Sequence, residues 1–378
     1  MPRDKNLSIA LAATVLSFCT LYAPQPILPL LGDAFGVSAA DSALLVTVTL
    51  APLGLAPIVY GYFLQAIPAR TMLRAAVLLL LLCQLAFFFA VAFWHLLALR
   101  FLQGLLLPAI FTALMTYCAT MAQPGKVRRA MGWYIGATVL GGFLSRVLSG
   151  ALVEWFGWQW MFVTVGLALA PLWLALGRLD PDAQINFQRL DLRSIRRVLA
   201  DPLYRHCYLA LFTAFMVFSG VLNLLPFRSS DIDPSIGPFG ISLAYTGYLI
   251  CVPIAILSER MIAAIGGVRR ALLTGLCVCF AGLAAYLLPN IPALFATMFI
   301  FAAGMFSIHA ALSGLVNERA VEHKGVVNGL YVSVYYLSGA LGSWLPGYVY
   351  QFAGWTTFLL LSALLLTISA TFAAKIRA

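Results

Sequence analysis

Twelve stretches of mostly apolar residues follow one another along the chain, at 7–30, 42–64, 72–94, 96–121, 131–153, 159–177, 205–227, 239–258, 271–289, 291–316, 325–350 and 354–374. Each is close to the roughly 20 residues that a helix needs to cross the hydrocarbon of a bilayer. Inside hydrocarbon every backbone N–H and C=O must be paired internally, which leaves helices or closed barrels. Barrel strands alternate in polarity rather than running continuously apolar. The composition agrees, at 62% hydrophobic and 10% charged, against roughly 45–50% apolar and 25% charged for soluble domains. A water-soluble globule and a disordered chain are both excluded. The expected fold is an all-α membrane protein with twelve transmembrane helices. The first apolar run continues past about 20 residues and meets no A-x-A site, so it reads as a first transmembrane helix and not as a cleaved signal.

The formal net charge of +10 raises a nucleic-acid reading, which the distribution of charge makes unnecessary. With the N-terminus placed in the cytoplasm, 20 of the 23 Lys and Arg fall in cytoplasmic segments, as the positive-inside rule requires. Both termini are then cytoplasmic and no nucleic-acid partner is expected. Residues 178–204 form the only long polar stretch. They divide the chain into an expected N-terminal six-helix bundle (1–178), a cytoplasmic central loop (179–204) and a C-terminal six-helix bundle (205–378). Within the loop, 191–199 reads either as a short amphipathic helix with Arg193, Arg196 and Arg197 toward headgroups or as a solvated linker. The seven cysteines sit almost entirely in apolar runs without repeated CxxC spacing. They read as small apolar packing residues.

The two halves are related. Shifted by 197 residues, segment 132–158 meets 329–355 with nine identities in 27 ungapped positions, among them Gly142 with Gly339, Gly150 with Gly347, and Trp158 with Trp355. Both segments follow a basic loop and so share an orientation. The expected architecture is therefore two pseudo-symmetric six-helix bundles in parallel repeat, as found in alternating-access transporters. Small residues recur every four positions in these segments, at Ala137, Gly141, Ser145 and Ser149 and at Gly325, Gly329 and Ser333. That spacing lets helices approach closely in lipid.

Over essentially its whole length the chain resembles the major facilitator superfamily. The run RFLQG at Arg100–Gly104 is similar to the helix-four motif of the drug:proton antiporter branch, an Arg followed by Gln103 and Gly104. GATVLGGFLSR at Gly136–Arg146 resembles that branch's Gly-rich helix-five motif, but lacks its Gly-Pro. YAPQPILPLL, NLLPF and KGVVNGLYVSVYYLSG are similar to a bacterial subgroup of efflux permeases. The superfamily's cytoplasmic gate loop between helices two and three is matched by Gly61 to Arg70, with Gln65 in place of the family's Asp and Arg70 keeping the basic end. The corresponding loop between helices eight and nine retains Gly267, Arg269 and Arg270, also without the acid. In that family helices one, seven and eleven line the cavity. The expected location is the bacterial inner membrane, and no cofactor is expected.

Ionisable side chains within spans are costly and mark cavities or relays. None of the 13 acids falls mid-span. Arg146 reads as a cavity or gating residue. Arg100, near the outer end of helix four, reads either as gating or as snorkelling to the interface. His309 has a reference pKa near 6.5, so it is either a proton carrier or a hydrogen-bonded packing residue. Asp33 is the rival proton carrier. Tyr22, Gln25, Asn223, Tyr335 and Tyr336 complete the expected pocket. Pro24, Pro26 and Pro29 free backbone carbonyls beside it. Without HExxH, GxSxG, a P-loop or paired intramembrane acids, an enzyme is not expected. The expected function is secondary transport by a monomer, most simply proton-coupled efflux of small organic molecules. The alternative is proton-coupled uptake of an anionic or zwitterionic solute.

Overall fold

A computed structural model describes residues 2–63, 67–120, 127–179, 184–185, 192–320 and 324–376. The long helices are α1 (Asn6–Phe35), α2 (Ala39–Phe63), α3 (Ala69–Phe89), α4 (Phe93–Thr120), α5 (Val127–Phe156) and α6 (Trp158–Leu176). After the central segment come α7 (Pro202–Ile232), α8 (Pro238–Ile265), α9 (Val268–Ala285) and α10 (Ile291–Arg319). The last helical stretch, Lys324–Lys375, contains a break at Gly354, where φ is 77° and ψ 176°. A positive φ of this kind is open to glycine and costly for other residues. The break separates α11 (325–353) from α12 (355–375). Among the described residues this gives twelve crossings, so the chain ends on the side where it began. That side is the terminal end below, and the opposite side the far end.

A short helix, Leu192–Ala200, lies between the halves. Arg193, Arg196 and Arg197 are exposed on it while Val198 is buried, the two-faced pattern of an interfacial helix. The only strand pairing among the described residues is a two-residue antiparallel ladder, Ile67 with Ile185 and Pro68 with Gln184. All seven cysteines are free thiols.

Two apolar cores form. One gathers residues of α1 to α6, among them Leu21, Leu73, Leu114 and Phe162. The other gathers α7 to α12, among them Leu211, Tyr245, Phe301 and Leu312. Each core accepts side chains from the other half: Val139 of α5 packs in the second, and Ala340 and Tyr336 of α11 in the first. The repeated helices α5 and α11 thus form the seam.

The repeat also explains how the far end closes. A Cβ on Gly150 of α5 would stand 2.5 Å from the Pro238 carbonyl at the start of α8. A Cβ on Gly347, its repeat partner on α11, would stand 2.8 Å from Ala40 Cα at the start of α2. The same glycine, used twice, lets one half's helix touch the first turn of the other's. Glu154 adds a polar contact, its carboxylate accepting from Phe239 N at 2.8 Å. That places a negative charge at the positive end of α8. Lower on the seam, Thr47 Oγ1 donates to the Ala340 carbonyl at 3.0 Å.

Candidate functional site

The site begins with proline chemistry in α1. Pro24 has no N–H, so the Thr20 carbonyl lacks its helical partner. The helix turns at Ala23 and Pro24 and continues as a 3-10 turn, Gln25–Ile27. This interruption turns Gln25 into the seam, where it is 1% exposed. In α7, Pro226 likewise deprives the Leu222 carbonyl of a donor, and Tyr245 Oη supplies one at 2.7 Å. In α8, residues Leu243–Ile250 are wound as a 3-10 helix. Residues three apart eclipse in that winding, so Tyr245 and Tyr248 share a face.

These local features converge on Arg146, which is fully buried ten residues, about 15 Å, from the far end of α5. Its Nε donates to Gln25 Oε1 at 2.8 Å. Its Nη1 donates to the Gly142 carbonyl one turn back on α5. Gln25 Nε2 in turn donates to Asn223 Oδ1 at 2.7 Å. The guanidinium carbon stands 4.4 Å from the Tyr22 ring centre, 5.0 Å from Tyr245 and 5.1 Å from Tyr248. One chain of side chains therefore ties α5, α1, α7 and α8 across the seam. Gly142 lies directly beside the guanidinium: a Cβ there would be in ordinary contact with it, 3.4 Å from Arg146 Nη1.

No Asp or Glu is buried among the described residues, so Arg146 has no carboxylate partner there. Desolvating such a charge costs several kcal/mol. Charge-assisted hydrogen bonds at about 1.5–3 kcal/mol each and cation–π contacts at about 0.5–2 kcal/mol each offset that cost.

Arg100 is also fully buried, and it does not snorkel. Its Nε donates to the Leu45 carbonyl at 2.9 Å, Nη1 to Thr20 O at 2.8 Å and to Gln103 Oε1 at 2.7 Å, and Nη2 to Leu21 O at 2.7 Å. Thr20 O is the carbonyl that Pro24 orphans, which is why a charge is retained inside the bundle and not at its rim. Gln103 Nε2 continues to Gln84 Oε1 at 3.0 Å. All of these partners belong to α1 through α4.

His309 stands apart from Arg146. It lies ten residues, about 15 Å, from the terminal end of α10 and is half-buried. Its Nδ1 is 3.0 Å from Tyr331 Oη, and Tyr335 lies 5.0 Å away, ring to ring. Tyr335 stacks on Phe215 at 3.7 Å and meets Tyr336 edge-on at 5.2 Å. Phe306, 6.1 Å from His309 and 5.3 Å from Tyr248, bridges the two groups. Asp33 is exposed in the last turn of α1 at the far end. At the terminal end, Gly61 lies in the last turn of α2, and Arg70 Nη1 donates to Leu179 O at 3.0 Å. Gly266 and Gly267 carry positive φ at the end of α8, followed by exposed Arg269 and Arg270. Gln65 lies outside the described residues.

Tyr245, Tyr248 and Gln84 were not singled out from the sequence. A pair of tyrosines three apart in an otherwise apolar run was the available signal for the first two.

The comparisons with known proteins follow the same lines. The Major Facilitator Superfamily profile matches residues 10–343. The inner membrane transport protein YnfM of Escherichia coli K12 is 26% identical over 379 aligned positions, covering 97% of this chain and 89% of YnfM. The MFS-type transporter YybF of Bacillus subtilis is 25% identical over 368, covering 94% and 91%. Among solved structures, a bacterial homologue of the human lysosomal transporter Spinster, inward-facing and occupied, superposes with a TM-score of 0.71 at 17% identity, covering 98% of this chain and 92% of that one. Its unoccupied form gives 0.69 at 16% identity, covering 99% and 93%. With twelve apolar crossings and a family match across most of its length, the chain belongs to the major facilitator superfamily and is a multi-pass membrane protein of secondary transport, not an enzyme.

Proposed function

We propose that the protein exports small organic molecules from a bacterial cytoplasm in exchange for protons, by alternating access around the Arg146 cluster. The observation that carries this reading is the Arg146–Gln25–Asn223 chain, which joins α5 and α1 of one half to α7 of the other. If the halves rock, this chain opens, so a ligand seated there couples its own binding to the motion. Tyr22, Gln25, Arg146, Asn223, Tyr335 and Tyr336 are the substrate-binding residues in this account. A buried cation with no buried acid among the described residues disfavours lipophilic cations. It favours anionic, zwitterionic or neutral hydroxylated solutes.

His309 carries the proton, as the mid-span side chain whose ordinary titration range brackets working pH. Arg100 and Gln103 serve gating as a fixed support, holding the break in α1 that carries Gln25 into the seam, and Asp33 is the rival proton carrier at the far end of that helix. Both termini are cytoplasmic in this account, a reading supported by the excess of Lys and Arg on the terminal side. The relative YnfM, named an inner membrane transport protein, supports that membrane. The protein acts as a monomer. The missing acid also favours the second reading, uptake of an anionic or zwitterionic solute together with protons.

Proteoliposomes test both. A carrier shows trans-stimulation, so counterflow of a labelled solute is expected in wild type and lost in Arg146→Gln. An imposed pH gradient, inside alkaline or inside acid, then fixes the direction. Coupling through His309 predicts that His309→Gln retains counterflow but loses gradient-driven accumulation. Unchanged gradient-driven accumulation in His309→Gln would remove His309 from the proton path.

A further inference from the structure

The hydrogen-bond directions around Arg146 narrow the ligand to one chemistry, on the reading that this cluster is the substrate site. Arginine only donates. Its Nε therefore fixes Gln25 with Oε1 toward the guanidinium. That leaves Gln25 Nε2 facing Asn223, which needs an acceptor there and so fixes Asn223 with Oδ1 inward. The orientation of both amides follows from the arginine, and neither can flip without setting donor against donor. The consequence is that Asn223 Nδ2 is left over. It is buried, on a residue that is fully buried, and has no partner among the described residues. A buried N–H2 without an acceptor is costly to leave unmade.

The cluster thus ends in surplus donors. Arg146 supplies one uncompensated positive charge, and the Asn223 amide supplies one unused N–H2. The surrounding surface is aromatic, from Tyr22, Tyr245 and Tyr248. We infer that the transported ligand is an organic monocarboxylate, whose carboxylate bridges the Arg146 guanidinium and Asn223 Nδ2 while its apolar body lies against the tyrosine rings. A planar two-oxygen head suits a guanidinium fork. A monoanion balances the single charge, whereas a dianion such as a phosphate monoester would bury an excess negative charge among rings. In the arrangement observed here the rings face the cation themselves. The ligand takes over that role as they part.

Binding of 3-phenylpropionate, its neutral amide, and 3-phenylpropylammonium to the purified full-length protein tests this, read by thermal shift and intrinsic tryptophan fluorescence. The carboxylate is expected to stabilise wild type, and the amide and ammonium to do so at least tenfold less effectively by concentration. Arg146→Gln should abolish the carboxylate response. Asn223→Asp keeps an acceptor for Gln25 Nε2 and replaces the spare donor with a negative oxygen. It should weaken the carboxylate at least tenfold and admit the ammonium, an exchange that mere loosening of the fold would not produce. Asn223→Ser, which restores a hydroxyl donor, guards against a folding defect in the first variant.

Equal binding of acid and amide, or preference for the ammonium in wild type, overturns the monocarboxylate while leaving Arg146 and Asn223 as the site, provided the response still depends on them. A carboxylate response that survives both Arg146→Gln and Asn223→Asp, or no response to any of the three, overturns the inference. Counterflow in the same variants then decides separately whether the cluster is on the transport path.

Discussion

The protein buries two arginines without a buried acid beside either among the described residues, and the two are held in different ways. Arg100 donates to three main-chain carbonyls and one glutamine, all within α1, α2 and α4. Carbonyls of packed helices do not move independently, so this arginine is a fixed bolt across one bundle. Arg146 is held by the Gln25 side chain, the carbonyl of its own preceding turn and three rings. Tyr245 and Tyr248 come from the opposite half, and so does Asn223 behind Gln25. The same residue type thus stiffens a bundle in one place and spans the seam between bundles in the other. The partners it is given set the difference.

That contrast can be broken by substitution. Arg100→Ala removes four hydrogen bonds and leaves the Thr20 carbonyl, orphaned by Pro24, without a donor. A loss of about 3–5 kcal/mol is expected from the cavity left by truncating a large buried side chain and from the carbonyl left without a donor, about 1–3 kcal/mol, seen as a large fall in the thermal unfolding midpoint and poor recovery of folded protein. Arg146→Gln should behave oppositely. Removing a buried charge that has no ion-pair partner relieves its desolvation cost while losing its hydrogen bonds and ring contacts, so the unfolding midpoint should hold within about 1 kcal/mol of wild type while counterflow disappears. If both variants lose stability alike, Arg146 is a second bolt and the contrast fails.

Further variants act on the far-end closure. Gly150→Leu and Gly347→Leu each place a branched side chain against the first turn of the opposing helix, where even a Cβ would stand 2.5 Å and 2.8 Å from backbone atoms. Because the two glycines are repeat partners, both substitutions should raise thiol-reagent access to a cysteine placed at Phe239 to a similar extent. Markedly unequal effects would show that the repeat does not share the closure evenly. The smallest effect belongs to Glu154→Gln. The carboxylate is exposed, and charge at a helix start is worth about 0.3–1 kcal/mol. A modest shift toward far-end access is expected, diminishing as salt is raised.

Much of this architecture was legible in the sequence. Apolar runs of span length have few folds open to them, and nine identities at a fixed offset betray the parallel repeat. Arg146, Gln25 and Asn223 stood out because polar groups are rare in such runs, and the fold brings these three into one hydrogen-bonded chain. His309 stood out for the same reason but sits with Tyr331 and Tyr335 nearer the terminal end. A sequence gives each residue's depth in its own helix but not which helix faces it. Arg100 reads as close enough to a helix end to snorkel, and the reason it stays inside is a carbonyl freed 80 residues earlier, at Thr20. Tyr245 and Tyr248 escaped notice because tyrosine in an apolar run resembles packing. Only the local 3-10 winding places both over one cation.

The central claim is that the halves part at the far end and open the seam around Arg146. Spin labels on cysteines replacing Trp155 of α5 and Phe239 of α8, whose rings lie 6.2 Å apart here, measure that parting directly by pulsed electron resonance in lipid nanodiscs. The account predicts two distance populations in wild type, one short and one lengthened, with Gly150→Leu moving the protein into the longer one. A single short distance in wild type and in Gly150→Leu would contradict it.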